Sequence, residues 1–351
     1  MIDWSIAQRV ADVVSGSPPA TRLPHDIEVR ALDYAARVSA YTGMTPAEPL
    51  PVPEGVDRSE WVAANLESMR PTLEMLAARV EQGSSLGPLS GPLQSMSGAV
   101  MGAQVGALTG VLSTRVLGQF DIALLDPDVP TRLLLVAPNL AEASSRLEAD
   151  HDELVSWVTI HEVTHAVQFG AVPWLREHLA GLLRELIDGL EVNVATSSLL
   201  RLPSAESLRG LVDAARRGEL LRVVLGPERQ EIIDRIQVTM SLVEGHAEHV
   251  MDAVGADLLP SLPKLREAMN RRRTTRSPAW RLLEKLLGLE LKLRQYEEGR
   301  RFCDAVVDSG GIALLNRAWV APAALPTPAE LADPQRWIDR TNVPVVTKSA
   351  R

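Results

Sequence analysis

Apolar residues recur three and four positions apart along most of this chain, which is the spacing of the buried face of a helix. A last short helix should begin at Thr327-Pro328-Ala329-Glu330, because threonine and glutamate at this spacing form a capping box. Gly170 stands where a left-handed helix end is expected, and Pro173 blocks further helix. The longer predicted helices span residues 28–41, 61–82, 148–169, 174–190, 204–217, 227–254 and 277–307, after a short amphipathic helix within residues 1–16.

One stretch has the pattern of strands instead. The apolar runs 120–125 and 132–137 are joined by Asp126-Pro127-Asp128-Val129-Pro130, a cluster of turn-forming residues, which predicts a hairpin or a strand pair. Residues 46–53 are rich in proline and are expected to be a connector. The fold class predicted from these patterns is mainly α with a small β element.

A stripe of glycines raises the question of a membrane helix. No residue between positions 83 and 114 is charged, and Gly98, Gly102, Gly106 and Gly110 recur every fourth position. Small residues at that spacing let two helices approach closely. The segment is nevertheless rich in Gly, Ser and Ala and lacks a dense run of Leu, Ile and Val. We therefore expect a soluble helix packed tightly against another helix, and no membrane partner.

Composition narrows the class of protein further. The 351 residues are 46% hydrophobic, with a mean hydropathy near zero, which suffices for one large domain or two coupled ones. A net charge of -9 argues against a nucleic-acid partner, and Arg271-Arg272-Arg273 with Arg276 is expected to be a solvated loop between helices. The single cysteine, Cys303, excludes an intrachain disulfide framework and should be buried. Because no signal-peptide pattern is seen either, we expect a cytoplasmic protein.

The motif that carries chemistry is His161-Glu162-Val163-Thr164-His165. On a helix the two histidines share one face, so both imidazoles can bind one metal ion, and zinc is the expected cofactor. Glu162 lies about 100 degrees around the helix axis, beside the metal. That position suits a general base for a zinc-bound water, so Glu162 is the predicted catalytic residue.

A catalytic zinc needs a third protein ligand, and the richest candidate segment is residues 244–249. Glu244 and His246 flank the apolar face of this predicted helix on opposite sides. Glu248 lies further from that face, and His249 points largely away from it. An ionised glutamate at the edge of a core needs a partner, which a cation would supply. Glu244 is therefore the predicted ligand, with His246, then Glu248 and His249, as alternatives, or with the segment as a solvated acidic face. Gly245 leaves room for another helix to approach.

Other residues could support the reaction or the ligands. Tyr296 is a candidate donor to the oxyanion that develops during acyl transfer, and His246 or Arg294 could serve instead. Asp252 could orient a ligand histidine, although an acid on the helix surface is the commoner outcome. Trp157 and Trp174 could wall the cleft, and packing in the core explains them equally well.

The string at residues 161–169 resembles the actinobacterial zinicin-like metallopeptidase type 2 family, and so do the strings at 172–175, 244–252 and 294–300. Some members of that family are described as deazaflavin-cofactor biosynthesis-associated proteins. The resemblance covers residues 61–337. It implies a zincin-like helical fold and a metal-dependent hydrolase whose ligands are the two motif histidines and the segment that begins at Glu244. It implies little about the substrate.

The hypothesis that follows is a zinc-dependent metallohydrolase, in particular a peptidase that cleaves a peptide or related amide. We expect an N-terminal helical region at residues 1–90 and a zincin-like catalytic region at 91–351, or one continuous domain. One alternative is a non-catalytic helical scaffold in which zinc is structural, held by four protein ligands such as His246 or Glu248 in addition to the others. Another is a membrane-embedded metallopeptidase, which Asp152 and Glu153 at the start of the motif helix disfavour.

Overall fold

The computed structural model describes residues 2–82, 90–189, 230–274 and 289–342, which are mostly helical with one small sheet. The predicted helix at 204–217 and residues 277–288 of another lie outside these ranges. Elements are numbered here in the order in which they are described along the chain. The helices are α1 (Trp4–Ser15), α2 (Ile27–Thr42), α3 (Arg58–Gln82), α4 (Ser90–Ser113), α5 (Ala137–Leu147), α6 (His151–Ala171), α7 (Pro173–Asp188), α8 (Gln230–Gly255), α9 (Leu262–Thr274), α10 (Leu289–Leu315), α11 (Pro328–Ala332) and α12 (Pro334–Asn342), with 3-10 turns at Asn316–Trp319 and Pro322–Ala324.

The sheet has three strands in the order β1-β3-β2. Strand β2 (Gly118–Asp121) pairs antiparallel with β3 (Arg132–Val136), which confirms the predicted strand pair. Strand β2 begins two residues before the predicted run 120–125 and ends at Asp121. Strand β1 (Pro53–Val56) pairs parallel with β3 on its other side and was not predicted. Its four residues include a proline and a glycine, so pairing with β3, rather than local preference, makes them a strand.

Strand β3 separates two apolar cores. Leu133 and Leu135 face the larger core, which α2, α6, α8 and α10 complete, whereas Leu134 and Val136 face a smaller core formed with α1 and α3. All four side chains are buried, as expected of a central strand that is covered on both faces. The larger core lies directly beneath the helix that carries the histidine motif.

Helix α6 begins at His151, because the side chain of Asp150 accepts a hydrogen bond from the N–H of Glu153 and Glu148 adopts a left-handed φ of 51°. The expectation of a left-handed end at Gly170 was wrong. Gly170 is helical, its carbonyl accepts from the N–H of Ala47, and Pro173 occupies the first turn of α7. Contact with the connector, rather than chain reversal, therefore accounts for this glycine.

The predicted packing of the glycine stripe is confirmed. Helix α4 lies against α1 so closely that a Cβ atom at Gly102 would be 2.3 Å from the carbonyl oxygen of Asp3, and one at Gly106 would be 2.1 Å from that of Ala7. The N–H of Asp3 also donates to the carbonyl of Gly98. Among the residues that the structure describes, no helix combines the length and the apolar character that crossing a bilayer requires.

The structure also decides three further expectations. The expectation of an interhelical loop was wrong for Arg271, which lies in α9 and pairs with Glu267 one turn earlier, while Arg276 lies outside the described residues. The capping box at Thr327 is confirmed, because Thr327 and Glu330 each accept from the other's N–H. Cys303 is buried, as predicted. The division of the chain near residue 90 stays a prediction.

Candidate metal centre

Three side chains from two helices converge beneath the surface between α6 and α8. The Nε2 atoms of His161 and His165 are 3.2 Å apart, because residues four apart on a helix lie above one another. One carboxylate oxygen of Glu244 is 3.7 Å from the first of these nitrogens and 3.4 Å from the second. One possible ligand atom from each of the three residues thus lies within 4.8 Å of the others.

The donor set and its spacing fit a zinc ion. Ligands held tetrahedrally at about 2.0–2.2 Å from one ion are about 3.3–3.6 Å apart, close to the three separations found here. Two imidazoles and one carboxylate are also a ligand set of catalytic zinc. Burial opposes protonation of His165, but nearby carboxylates, above all that of Glu244, outweigh it and raise the pKa of His165. The same carboxylate charge would favour a cation between them.

Glu162 lies beside this cluster and faces the sheet. It is buried, and its Oε2 accepts a hydrogen bond of 2.7 Å from the main-chain N–H of Phe120 on β2. The ring of Phe120 packs against that of Phe169 on α6, with centroids 5.8 Å apart. A carboxylate is therefore held between the histidine-bearing helix and an edge strand.

The alternative ligands lie elsewhere on α8. His246 is fully buried with its ring against Trp319, and burial, with His249 and His165 nearby, lowers its pKa to about 3. Glu248 is buried one turn beyond Glu244 and is not a member of the converging group. Of the four candidates in residues 244–249, the fold brings only Glu244 to the two histidines.

His249, the last alternative, takes part in a separate series of polar contacts between side chains. Its Nε2 lies 2.7 Å from the hydroxyl of Tyr41 on α2, and its Nδ1 lies 2.7 Å from a carboxylate oxygen of Asp304 on α10. Burial tends to raise the pKa of Asp304, but hydrogen bonding to His249 and the charge of Arg300 outweigh it and lower that pKa. This series of polar contacts links α2, α8 and α10 and does not include the converging residues of the metal centre.

The supporting residues are distributed as follows. Asp252 pairs with Arg266 and with Arg300, so it does not orient a ligand histidine. Trp157 belongs to the larger core, and Trp174 packs against that core while its indole N–H donates to the carbonyl of Trp319. The side chains of Tyr296 and Arg294 lie outside the described part of the chain.

Two features of the site were missed at the level of sequence. Gly118 on β2 touches Glu162, since a Cβ atom there would be 2.9 Å from Cγ of that residue. The approach of α10 to α8 is equally close, and a Cβ atom at Gly245 would be 2.2 Å from the carbonyl carbon of Gly299. Gly245 indicated that another helix could approach α8. Nothing in the sequence indicated that this contact is made at Gly299, or that Gly118 contacts Glu162 of the motif.

Comparison with known proteins agrees with this geometry. The model of a family described as zincin-like metallopeptidase matches residues 2–338. A crystal structure from Chloroflexus aurantiacus, described as that of a putative hydrolase with a novel fold, is 28% identical in sequence. It superposes with a TM-score of 0.70 and covers 98% of this chain and 99% of its own. No curated protein matches the chain.

Proposed function

The chain belongs to the zincin-like metallopeptidase family, and on that premise we propose that it is a zinc-dependent hydrolase of peptide or related amide bonds. The observation that carries the proposal is the convergence of His161, His165 and Glu244 beside the carboxylate of Glu162. Hydrolysis of an amide needs both an electrophilic metal and a proton carrier, and this arrangement has residues for each.

The two histidines of α6 and the glutamate of α8 would hold the ion. Zinc bound there would lower the pKa of a coordinated water toward about 7 and polarise a substrate carbonyl. His165 is buried, but His161 and Glu244 remain partly exposed, which supports access of substrate to the centre. A structural zinc would need a fourth protein ligand, whereas the group found among the described residues has three.

Glu162 would act as the proton carrier. Its carboxylate would accept a proton from the attacking water and then donate it to the nitrogen of the departing amine. Strand β2 is an edge of the sheet, and an extended substrate could align along it close to this carboxylate. Tyr296 stays one candidate donor to the developing oxyanion, beside His246 or Arg294.

The proposal is tested by purifying the protein, measuring its zinc content and incubating it with a peptide library whose cleavage is followed by mass spectrometry. Glu162→Gln should retain one zinc per chain while turnover falls roughly 10²- to 10⁴-fold, because the proton carrier is lost. Glu177→Gln makes the same chemical change at an exposed position on α7 and should behave like the wild type. Undiminished cleavage by the Glu162 variant, or no zinc in the wild type, would refute the proposal.

Two narrower statements remain predictions. The resemblance to the actinobacterial type 2 family, with its description of members as deazaflavin-cofactor biosynthesis-associated, goes beyond the family match. The cytoplasmic location is supported by the buried, unpaired Cys303, which suits a reducing compartment. Fractionation of native cells would test the location directly.

A further inference from the structure

We propose that Gly118 and the main-chain N–H of Phe120, both on edge strand β2, are positioning elements that hold the Glu162 carboxylate beside the metal centre. The inference rests on the proposed function, in which Glu162 carries the proton. A glutamate side chain has three rotatable bonds, so a carboxylate that must meet a bound water within a few tenths of an ångström needs to be held.

The first part of the argument is the lack of space at Gly118. A Cβ atom there would lie 2.6 Å from Cγ1 of Val158, 2.9 Å from Cγ of Glu162 and 3.0 Å from its Oε1. The φ angle of Gly118 is not positive, so an alanine could adopt this backbone. The glycine is therefore required by the closeness of β2 to α6 rather than by an unusual backbone conformation.

The second part is the direction of the Phe120 N–H. The carbonyl of Leu117 accepts from the N–H of Val136, and main-chain groups of an antiparallel strand alternate in direction. With Phe120 opposite Leu133, its N–H points away from β3, and it donates to Glu162. A hydrogen bond to a carboxylate is about twice as strong as one between neutral groups, so this edge amide orients the side chain effectively.

The two contacts act on different atoms of the same side chain. Gly118 admits the Cγ atom of Glu162 to the surface of the strand, and Phe120 binds Oε2 once it is there. The ring of Phe120 on Phe169, one turn beyond His165, keeps the strand against α6. A small movement of β2 would therefore move the carboxylate relative to the histidines.

The sheet supplies a matched control at Gly55. Gly55 on β1 and Gly118 on β2 both lie opposite Leu135, on its two sides. A Cβ atom at Gly55 would be 2.9 Å from Cδ1 of Leu23, the end of a flexible side chain. Gly55→Ala thus adds the same methyl group to the same sheet without touching Glu162.

Kinetics provide the first test. Gly118→Ala should keep one zinc per chain and a KM within about threefold of the wild type, while kcat falls roughly 10- to 100-fold because the carboxylate is misplaced. Gly55→Ala should keep kcat. Gly118→Ala with Val158→Ala relieves the clash with Val158 but not that with Glu162, so kcat should stay low. A double variant with wild-type kcat would show that only packing is affected and would overturn the proposal.

Nuclear magnetic resonance provides a test that does not need activity. The chain has three phenylalanines, so protein labelled with ¹⁵N-phenylalanine gives three backbone amide signals, and loss of one in Phe120→Leu assigns Phe120. Glu162→Ala and Gly118→Ala should both shift the Phe120 signal, whereas Gly55→Ala should not. An unmoved signal in the Glu162 variant overturns the proposal even if the enzyme is active. If the signal moves but Glu162→Gln retains turnover, the positioning contact exists and the proposed function fails.

Discussion

Within the described part of the chain, glycines bring helix main chains into direct contact at two places, with different consequences for function. Between α1 and α4, Gly106 faces the carbonyl of Ala7. Between α8 and α10, a Cβ atom at Gly299 would be 1.8 Å from the carbonyl oxygen of Ser241. The second contact lies next to Glu244, which points toward α6.

The difference shows what close packing contributes to a site. Both contacts hold a helix at a short distance that a single methyl group would disturb. At α1–α4 the helices carry none of the converging ligand residues, so the contact serves stability alone. At α8–α10 the position of α8 also determines the distance from Glu244 to the two histidines. If the proposed centre binds zinc, the same packing device is therefore expected to be coupled to metal binding only in the second case.

The largest effect is expected when Glu244 is replaced and the glycines of the α8–α10 contact are kept, which tests the ligand separately from the packing. Glu244→Ala should weaken zinc binding by more than about 100-fold, since one of the three proposed protein ligands is lost. Glu248→Gln, one turn along, should keep zinc within about threefold. Competition with a chromophoric chelator measures both affinities. Equal loss in the two variants would mean that the third ligand is misassigned.

The next largest effect is expected for Gly299→Ala. The new methyl group would meet main chain of α8, which cannot move without shifting the helix, so the free energy of unfolding should fall by about 3 kcal/mol. Because α8 carries Glu244, zinc affinity should fall about tenfold as well. Urea unfolding and chelator competition report the two effects. A stability loss without any change in zinc affinity would break the proposed coupling.

Gly106→Ala is the corresponding change at the contact without a ligand. Overpacking against the carbonyl of Ala7 should lower the free energy of unfolding by about 1–3 kcal/mol, while zinc affinity stays unchanged. The same two measurements apply. Weaker zinc binding in this variant would indicate that the two contacts are not independent.

The smallest expected effect is a pH dependence of stability that only the α8–α10 contact should show, since Asp304 on α10 pairs with His249 on α8. Asp304 has a lowered pKa in the folded protein, so its stabilising contribution is present above the ordinary pKa of about 3.9 and is lost as pH falls through the folded value. Its side chain is 41% exposed, so solvent screening limits the loss in Asp304→Asn to about 0.5 kcal/mol at pH 7. That difference should shrink as pH falls below the ordinary pKa of about 3.9. The difference for Gly106→Ala should stay constant, because the contact with Ala7 contains no titratable group.

The outcome for individual residues shows what local sequence can predict. Most of the described helices and the capping box at Thr327 were predicted correctly, because each depends on residues within one or two turns of one another. Helices α5, α9 and α12 were not predicted. Strand β1 and the role of Gly170 were missed. Both are decided by partners far along the chain, β3 for the strand and Ala47 for the glycine.

By itself, the sequence determined the helical class and the pair of histidines with an adjacent acid, because one turn of helix places His161 and His165 on one face. Only the tertiary structure decided that Glu244, rather than His246, Glu248 or His249, meets them, and that β2 lies against Glu162. Glu244, His246 and His249 lie on different sides of α8, and Glu248 lies one turn beyond Glu244. The packing of α8 between α6 and α10 decides which of them meets the histidines. That selection depends on contacts between residues distant in sequence, which no local pattern records.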